Sequence, residues 1–236
     1  MKKLVLLLSI LIGLSACSSI ELQAVTTSEE ETQRILALGL SYEENLIEAS
    51  KLSDPHMIKV VSLQLTNAKD EKIQYEIDLL ESEKLANNVI LSLSGTNFSG
   101  PIISKSESTV LNMNPDLLNY NLEGLKNLTS GIVNHKLQLS LIYNSDKKRN
   151  YISANLCDKW SRCDDNSIEI NNISTNASNC SSSSCDYKEI VEVNLSDEFL
   201  RNYIKKGFTI RINSKKNSNK VIISRVYLMG YLQVAQ

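Results

Sequence analysis

Four cysteines late in the chain, Cys157, Cys163, Cys180 and Cys185, carry the residue type and spacings most able to do chemistry. Thiolates so placed either oxidise to disulfides or hold a metal, and the compartment decides between the two. The N-terminus indicates that compartment. Lys2 and Lys3 precede an apolar run over residues 4–14, which has the charge and length of an export signal. The run is too short to span a bilayer, which takes about 20 residues. An even number of cysteines in an exported chain reads as a disulfide set with three possible connectivities. The C-x5-C and C-x4-C spacings permit two local bridges, Cys157–Cys163 and Cys180–Cys185, each constraining the unfolded chain by roughly 2 kcal/mol. A four-thiolate zinc site is the competing reading, but zinc pairs are spaced by two to four residues and the compartment is oxidising, so no metal is expected. The acid-rich stretch with Asp158, Asp164 and Asp165 lacks the spacing and closing Glu of a calcium loop and reads as a solvated turn.

No nucleophile, acid–base or phosphate-cradling motif is present: there is no G-x-S-x-G, no H-E-x-x-H and no glycine-rich phosphate loop. The chain has 2 histidines. His56 follows Asp54-Pro55 and His135 precedes an alternating run over residues 136–143, so both read as exposed residues at strand ends. Glu189 with Glu192 reads as strand surface, and Asp197 with Glu198 as a helix N-terminus. No catalytic residue, cofactor or ligand-binding residue is therefore assigned, and a non-enzymatic role is favoured. A hydrolase whose two carboxylates converge only in the fold is the alternative. The Tyr-rich C-terminus, with Tyr227 and Tyr231, reads as a strand whose rings complete the edge of a sheet.

Leu14-Ser15-Ala16-Cys17 resembles the lipobox of bacterial lipoproteins. The resemblance implies cleavage before Cys17, acylation of its thiol, and residues 1–16 as signal peptide with residues 17–28 as a lipidated tether. Two or more acyl chains anchor stably, at about 0.8 kcal/mol per buried methylene. Ser18, in place of an aspartate, resembles the outer-membrane sorting pattern. The expected location is the cell envelope, anchored by lipid at the periplasmic face of the outer membrane. The apolar stretch over residues 226–234 is too short to add a span.

The chain carries 25 basic and 27 acidic residues, and losing Lys2 and Lys3 with the signal takes the net charge to about −4. That charge argues against nucleic acid as a partner. The expected partners are the membrane, through the lipid, and an envelope protein. At 42% apolar the remaining residues can bury a core. The N-x-S/T triplets at Asn97, Asn127, Asn172, Asn176 and Asn179 follow from the Asn- and Ser-rich composition.

The elements follow from periodicity. Ser28 with Glu31 forms a capping box for a short helix, and Tyr42 opens a second, giving a helical segment over residues 29–54 that Asp54-Pro55 ends. Beyond Pro55 the apolar period reads as two. Val61, Leu63 and Leu65 alternate with polar residues, as do Ile73, Tyr75, Ile77 and Leu79, then Val89, Leu91 and Leu93, and later Leu137, Leu139, Leu141 and Tyr143. Further strands are expected over residues 151–156, 167–173, 187–195, 208–213 and 221–232. Residues 113–128 read as a short helix after Pro115 or a long crossover loop. Ser196, Asp197 and Glu198 open a capped helix that Lys205, Lys206 and Gly207 close. The predicted fold is mainly β: an antiparallel β-sandwich over residues 55–236 with a short N-terminal helical segment and one capped helix near the C-terminus.

Residues 180–234 are similar to the C-terminal part of a group of uncharacterised bacterial envelope lipoproteins. The similar run is the cysteine pair, Tyr187-Lys188-Glu189, an alternating strand, the capped helix, Gly207 and a closing apolar strand. The resemblance implies no activity. The expected function is a lipid-anchored binding or envelope-assembly module, with a periplasmic hydrolase and an accessory lipoprotein of a secretion or pilus machine as alternatives.

Overall fold

The computed structural model describes residues 26–104, 114, 116–158 and 162–236. Residues 1–25, with the expected signal and Cys17, lie outside the described residues, as do Met113 and Pro115 of the segment read as a helix or loop. The chain divides into two compact units, residues 1–72 and 73–236, and the division falls inside a helix rather than at residue 55.

The first unit is helical. α1 (Ser28–Leu36) begins on Thr27, one residue before the expected cap, and Thr27 with Glu30 forms the capping box. α2 (Tyr42–Ser50) repeats the device with Ser41 and Glu44. The third element is the first stretch of α3 (Pro55–Ala86). Asp54 starts it, its side chain accepting the His56 N–H at 2.9 Å and its carbonyl the Ile58 N–H at 3.0 Å. Ile35, Ala49, Val61 and Leu65 make the small buried core, and Thr32 Oγ1 donates to Gln64 Oε1 beside it at 2.5 Å.

α3 overturns the strands expected over residues 61–66 and 73–79. Its 32 residues contain no glycine and no proline after Pro55, and Leu, Lys and Glu together make up 13 of them. No turn signal separates the two expected strands, so the local helical ladder runs through both. Val61 and Leu65 are buried at a helical i, i+4 spacing, whereas Leu63, Ile73, Tyr75, Ile77 and Leu79 are exposed. The alternation therefore marks no sheet face.

The second unit is mainly antiparallel β, as expected. Its strands are β1 (Ile90–Leu91), β2 (Asn97–Ser99), β3 (Ile103–Ser104), β4 (Leu117–Lys126), β5 (Val133–Ser145), β6 (Ser153–Cys157), β7 (Cys163–Ser178), β8 (Cys185–Ser196), β9 (Phe208–Asn213) and β10 (Ser218–Ile223). They form one curled sheet in the order β1-β2-β4-β5-β8-β7-β6-β9-β10, with β3 also on β4. β7 joins the two halves: its residues up to Glu169 pair with β6 and those from Ile170 pair with β8. Leu137, Leu139, Val191 and Val193 from one half and Ile210, Ile212, Val221 and Ile223 from the other share a single core.

Two helices complete it. α4 (Asp197–Tyr203) forms where expected, capped by Ser196 and followed by Gly207 at φ +70°. α5 (Arg225–Val234) replaces the second half of the strand expected over residues 221–232. Ser224 ends β10 and caps α5 by accepting the Tyr227 N–H at 3.2 Å. The helical offset of Tyr227 and Tyr231 then puts both rings into the core. Gly230 allows α5 to meet α3, because a Cβ there would lie 2.6 Å from the Ser82 carbonyl oxygen.

Both disulfides are local: Cys157–Cys163 staples β6 to β7, and Cys180–Cys185 closes the β7–β8 turn. With the thiols joined in this way, a four-thiolate zinc site has no ligands. Among the described residues, no helix is long and apolar enough to cross a membrane.

Candidate functional site

The solvent face of β1, β2, β4, β5 and β8 carries a groove of about 750 Å³. Strand register builds it from two neighbouring rows of side chains. One row runs Ile90, Ser99, Glu123, Lys136, Asn194, and the other runs Asn97, Leu125, Asn134, Ser196 with Ser92 beside Asn97. The central strands β2, β4 and β5 are hydrogen-bonded on both sides, so the floor offers side chains rather than backbone to a ligand. Lys136 Nζ bonds Glu192 at 2.8 Å, and that carboxylate, with Glu123 farther along the same face, holds the lysine pKa above its ordinary range. Asn121 Nδ2 donates to Glu123 at 3.4 Å.

Between these two rows the row Phe98, Gly124, His135, Leu195 also lines the groove, and on its core side lies a chain of polar groups. His135 is 1% exposed, not the exposed strand-end residue its position suggested. Its Nδ1 lies 2.9 Å from the Tyr231 hydroxyl and its Nε2 lies 3.2 Å from Asp197 Oδ1. Arg201 Nε donates to the other Asp197 oxygen at 2.6 Å. Burial lowers the His135 pKa, against the opposing pull of Asp197. Burial works against the Asp197 carboxylate too, but the hydrogen bonds from Arg201 and His135 outweigh it and keep its pKa low. Burial also raises the Tyr231 phenol. The arrangement has the residue types of a proton relay, yet it closes on a phenol buried in the core.

Tyr227 has the matching role, one helical turn earlier. β2 and β3 both pair with β4 but leave a gap over residues 100–102. The Tyr227 hydroxyl fills that gap, accepting the Leu122 N–H at 2.9 Å and donating to the Pro101 carbonyl at 3.0 Å. A Cβ at Gly100 would fall 2.6 Å from this hydroxyl, and one at Gly124 would fall 2.5 Å from that of Tyr231.

A second polar cluster sits at another end of the core. Arg149 Nη1 donates to Asp116 at 2.6 Å and to the Tyr151 hydroxyl at 3.1 Å, and the Arg149 N–H donates to Tyr143 at 2.8 Å. Glu189, read as strand surface, is instead fully buried and accepts the Asn150 N–H at 3.2 Å. Glu192 points to the opposite face because it lies an odd number of positions, three, further along the strand.

His56 sits exposed in the first turn of α3 and joins neither cluster. Asp158 holds Arg162 at 2.9 Å, while Asp164 and Asp165 are exposed. The groove residues of β4 escaped the sequence reading because residues 113–128 were not recognised as a strand. The signal existed: Tyr120 and Leu122 alternate with Asn119, Asn121 and Glu123. Lys136 and Asn194 fall at polar positions of the expected strands, but only register makes them neighbours, and Asn134 lies before the expected strand. Compared with known proteins, the chain matches no family model, no curated protein and no solved structure.

Proposed function

We propose that this is a lipid-anchored envelope lipoprotein, attached through Cys17 at the periplasmic face of the outer membrane, whose β domain is a non-enzymatic binding or envelope-assembly module. The observation that carries the reading is how polar side chains divide across β4, β5 and β8. The groups suited to acid–base work, His135, Tyr231 and Glu189, are buried and hydrogen-bonded within the core. The open groove instead presents a largely apolar surface in which Asn and Ser side chains and the Glu123 and Lys136 charges are set. Such groups hold and orient a ligand. The export signal, the lipobox and Ser18 support the location. Strand capture by a secretion or pilus partner would use a terminal strand, β1 or β10, and at β10 the Asn114 side chain already bonds the Lys220 carbonyl at 2.8 Å.

The test is a pull-down from gently solubilised envelopes with the lipidated full chain cross-linked in place, beside Cys17→Ser and Asn134→Ala. The reading expects Cys17→Ser to leave the membrane fraction. It also expects the wild type to recover a stoichiometric envelope component that Asn134→Ala loses. Recovery no different between wild type and both variants overturns it.

A further inference from the structure

Charge is segregated along this chain. No acidic residue follows Glu198, whereas eight basic residues do, in a protein of net charge −2. Arg201 pairs with Asp197 and Arg225 with Asp78. Four of the others, Arg211, Lys215, Lys216 and Lys220, belong to the β9–β10 hairpin at the end of the sheet. Register sets Lys220 directly opposite Arg211, on the face away from buried Ile210, Ile212 and Val221. Like charges so placed repel across a strand pair. Among the described residues none of the four is ion-paired, and the Arg211 Nε is buried without a hydrogen-bond partner. The register partner of Arg211 on β6 is Asn155, and the acids Asp164, Asp165 and Glu169 stand on β7, beyond β6. Asp116 reaches β10 through Asn219, which points to the core side, and is already held by Arg149. Ser214 and Asn217 close the turn between the strands and leave Lys215 and Lys216 exposed at its tip. Ile222, two positions beyond Lys220 and so on the same face, is 43% exposed.

Resting on the lipid-anchored reading, we infer that the β9–β10 hairpin seats the β unit on the anionic phospholipid headgroups of the membrane that carries the anchor. Arg211 and Lys220 share headgroup phosphates, Lys215 and Lys216 extend the contact from the turn, and Ile222 enters the interface beside them. An external anion relieves the repulsion between the two opposed cations, which none of the described carboxylates does. A membrane is the occupant because an acylated Cys17 holds one within reach. An exposed aliphatic side chain beside cations also suits headgroups lying over acyl chains. A soluble polyanion would meet the charges and leave Ile222 in water. Each cation near an anionic leaflet contributes about fivefold in partition. The hairpin therefore holds down a chain that is already tethered, and releases an untethered one on dilution.

The test uses the full chain carrying Cys17→Ser, floated at high lipid concentration with vesicles of equal parts phosphatidylglycerol and phosphatidylcholine, beside vesicles of phosphatidylcholine alone. Binding to the anionic vesicles only is expected, and salt at about 1 M should abolish it. Lys215→Gln with Lys216→Gln should lower the partition about 25-fold, and Lys220→Gln alone about fivefold, with the thermal midpoint not lowered. Lys147→Gln with Lys148→Gln removes the same charge from another exposed turn, and should change the partition by less than about twofold. Equal losses from the two lysine pairs, equal binding to both kinds of vesicle, or binding to neither overturns the inference. Preference for soluble poly-glutamate over the anionic vesicles at equal charge overturns it too, by assigning the hairpin to a soluble polyanion. If neither vesicle is bound while Cys17→Ser still leaves the membrane fraction in cells, the inference fails and the anchor reading stands. If Cys17→Ser leaves that fraction only when Lys215→Gln and Lys216→Gln are added, the hairpin binds membranes and the anchor reading fails.

Discussion

The core side and the solvent side of β4, β5 and β8 share one backbone yet use their polar atoms in opposite ways. On the core side, two polar groups at α5 are held from two directions. The Tyr227 hydroxyl joins Leu122 to Pro101, and His135 joins Tyr231 to Asp197. Gly100 and Gly124 clear the space those hydroxyls occupy. On the solvent side, Asn, Ser and charged side chains share an open groove with Ile90 and Leu125. The contrast teaches a division of labour: interior hydrogen bonds fix the curvature and register of the strands, and that fixed register places side chains from separate strands around one ligand.

Disrupting the core side should cost stability. Gly230→Ala has the largest expected effect, because its new Cβ meets the Ser82 carbonyl oxygen and the Leu85 Cβ rather than a flexible side-chain tip. A loss of about 3 kcal/mol in urea unfolding is expected. Tyr227→Phe leaves the Leu122 N–H and Pro101 carbonyl without their shared partner, and should cost about 2 kcal/mol by the same measurement.

His135 extends the contrast to pH. Burial lowers its folded pKa, so on acidification the unfolded chain takes up a proton near pH 6.5 before the folded chain does. Its contribution to stability is therefore full above about pH 6.5 and is lost as pH falls from there toward the folded pKa. His135→Gln should flatten that region of the stability–pH profile. The smallest effect belongs to the solvent side. Leu125→Asn or Asn134→Ala should change stability by no more than about 0.5 kcal/mol.

Much of the β unit was legible because its signals were local and agreed with one another. Residues 208–213 alternate between two turns and form β9 as read, and Ser196 with Asp197 and Glu198 opens α4 as read. The short cysteine spacings likewise permitted the bridges that form. Where signals conflicted, alternation was the weaker one. In α3 it ran against a stretch with no glycine or proline to interrupt a helix, and at Ser224 against a cap that turns the chain from β10 into α5. The candidate site was least legible because it depends on contacts distant in sequence. Nothing near His135 announces Tyr231, 96 residues away, and Asn97, Asn134 and Asn194 become neighbours only through strand register.

The binding-module reading rests on the solvent face of β4 and β5 being the one that meets a ligand. Site-specific photo-crosslinking in intact cells tests it directly, with the probe placed at Leu125 in the groove or at Ile222 on β10, both exposed, and adducts identified by mass. A defined envelope component from Leu125 and phospholipid alone from Ile222 is expected. The same component from both positions, or a component from Ile222 alone, would show that the groove is not the face that binds.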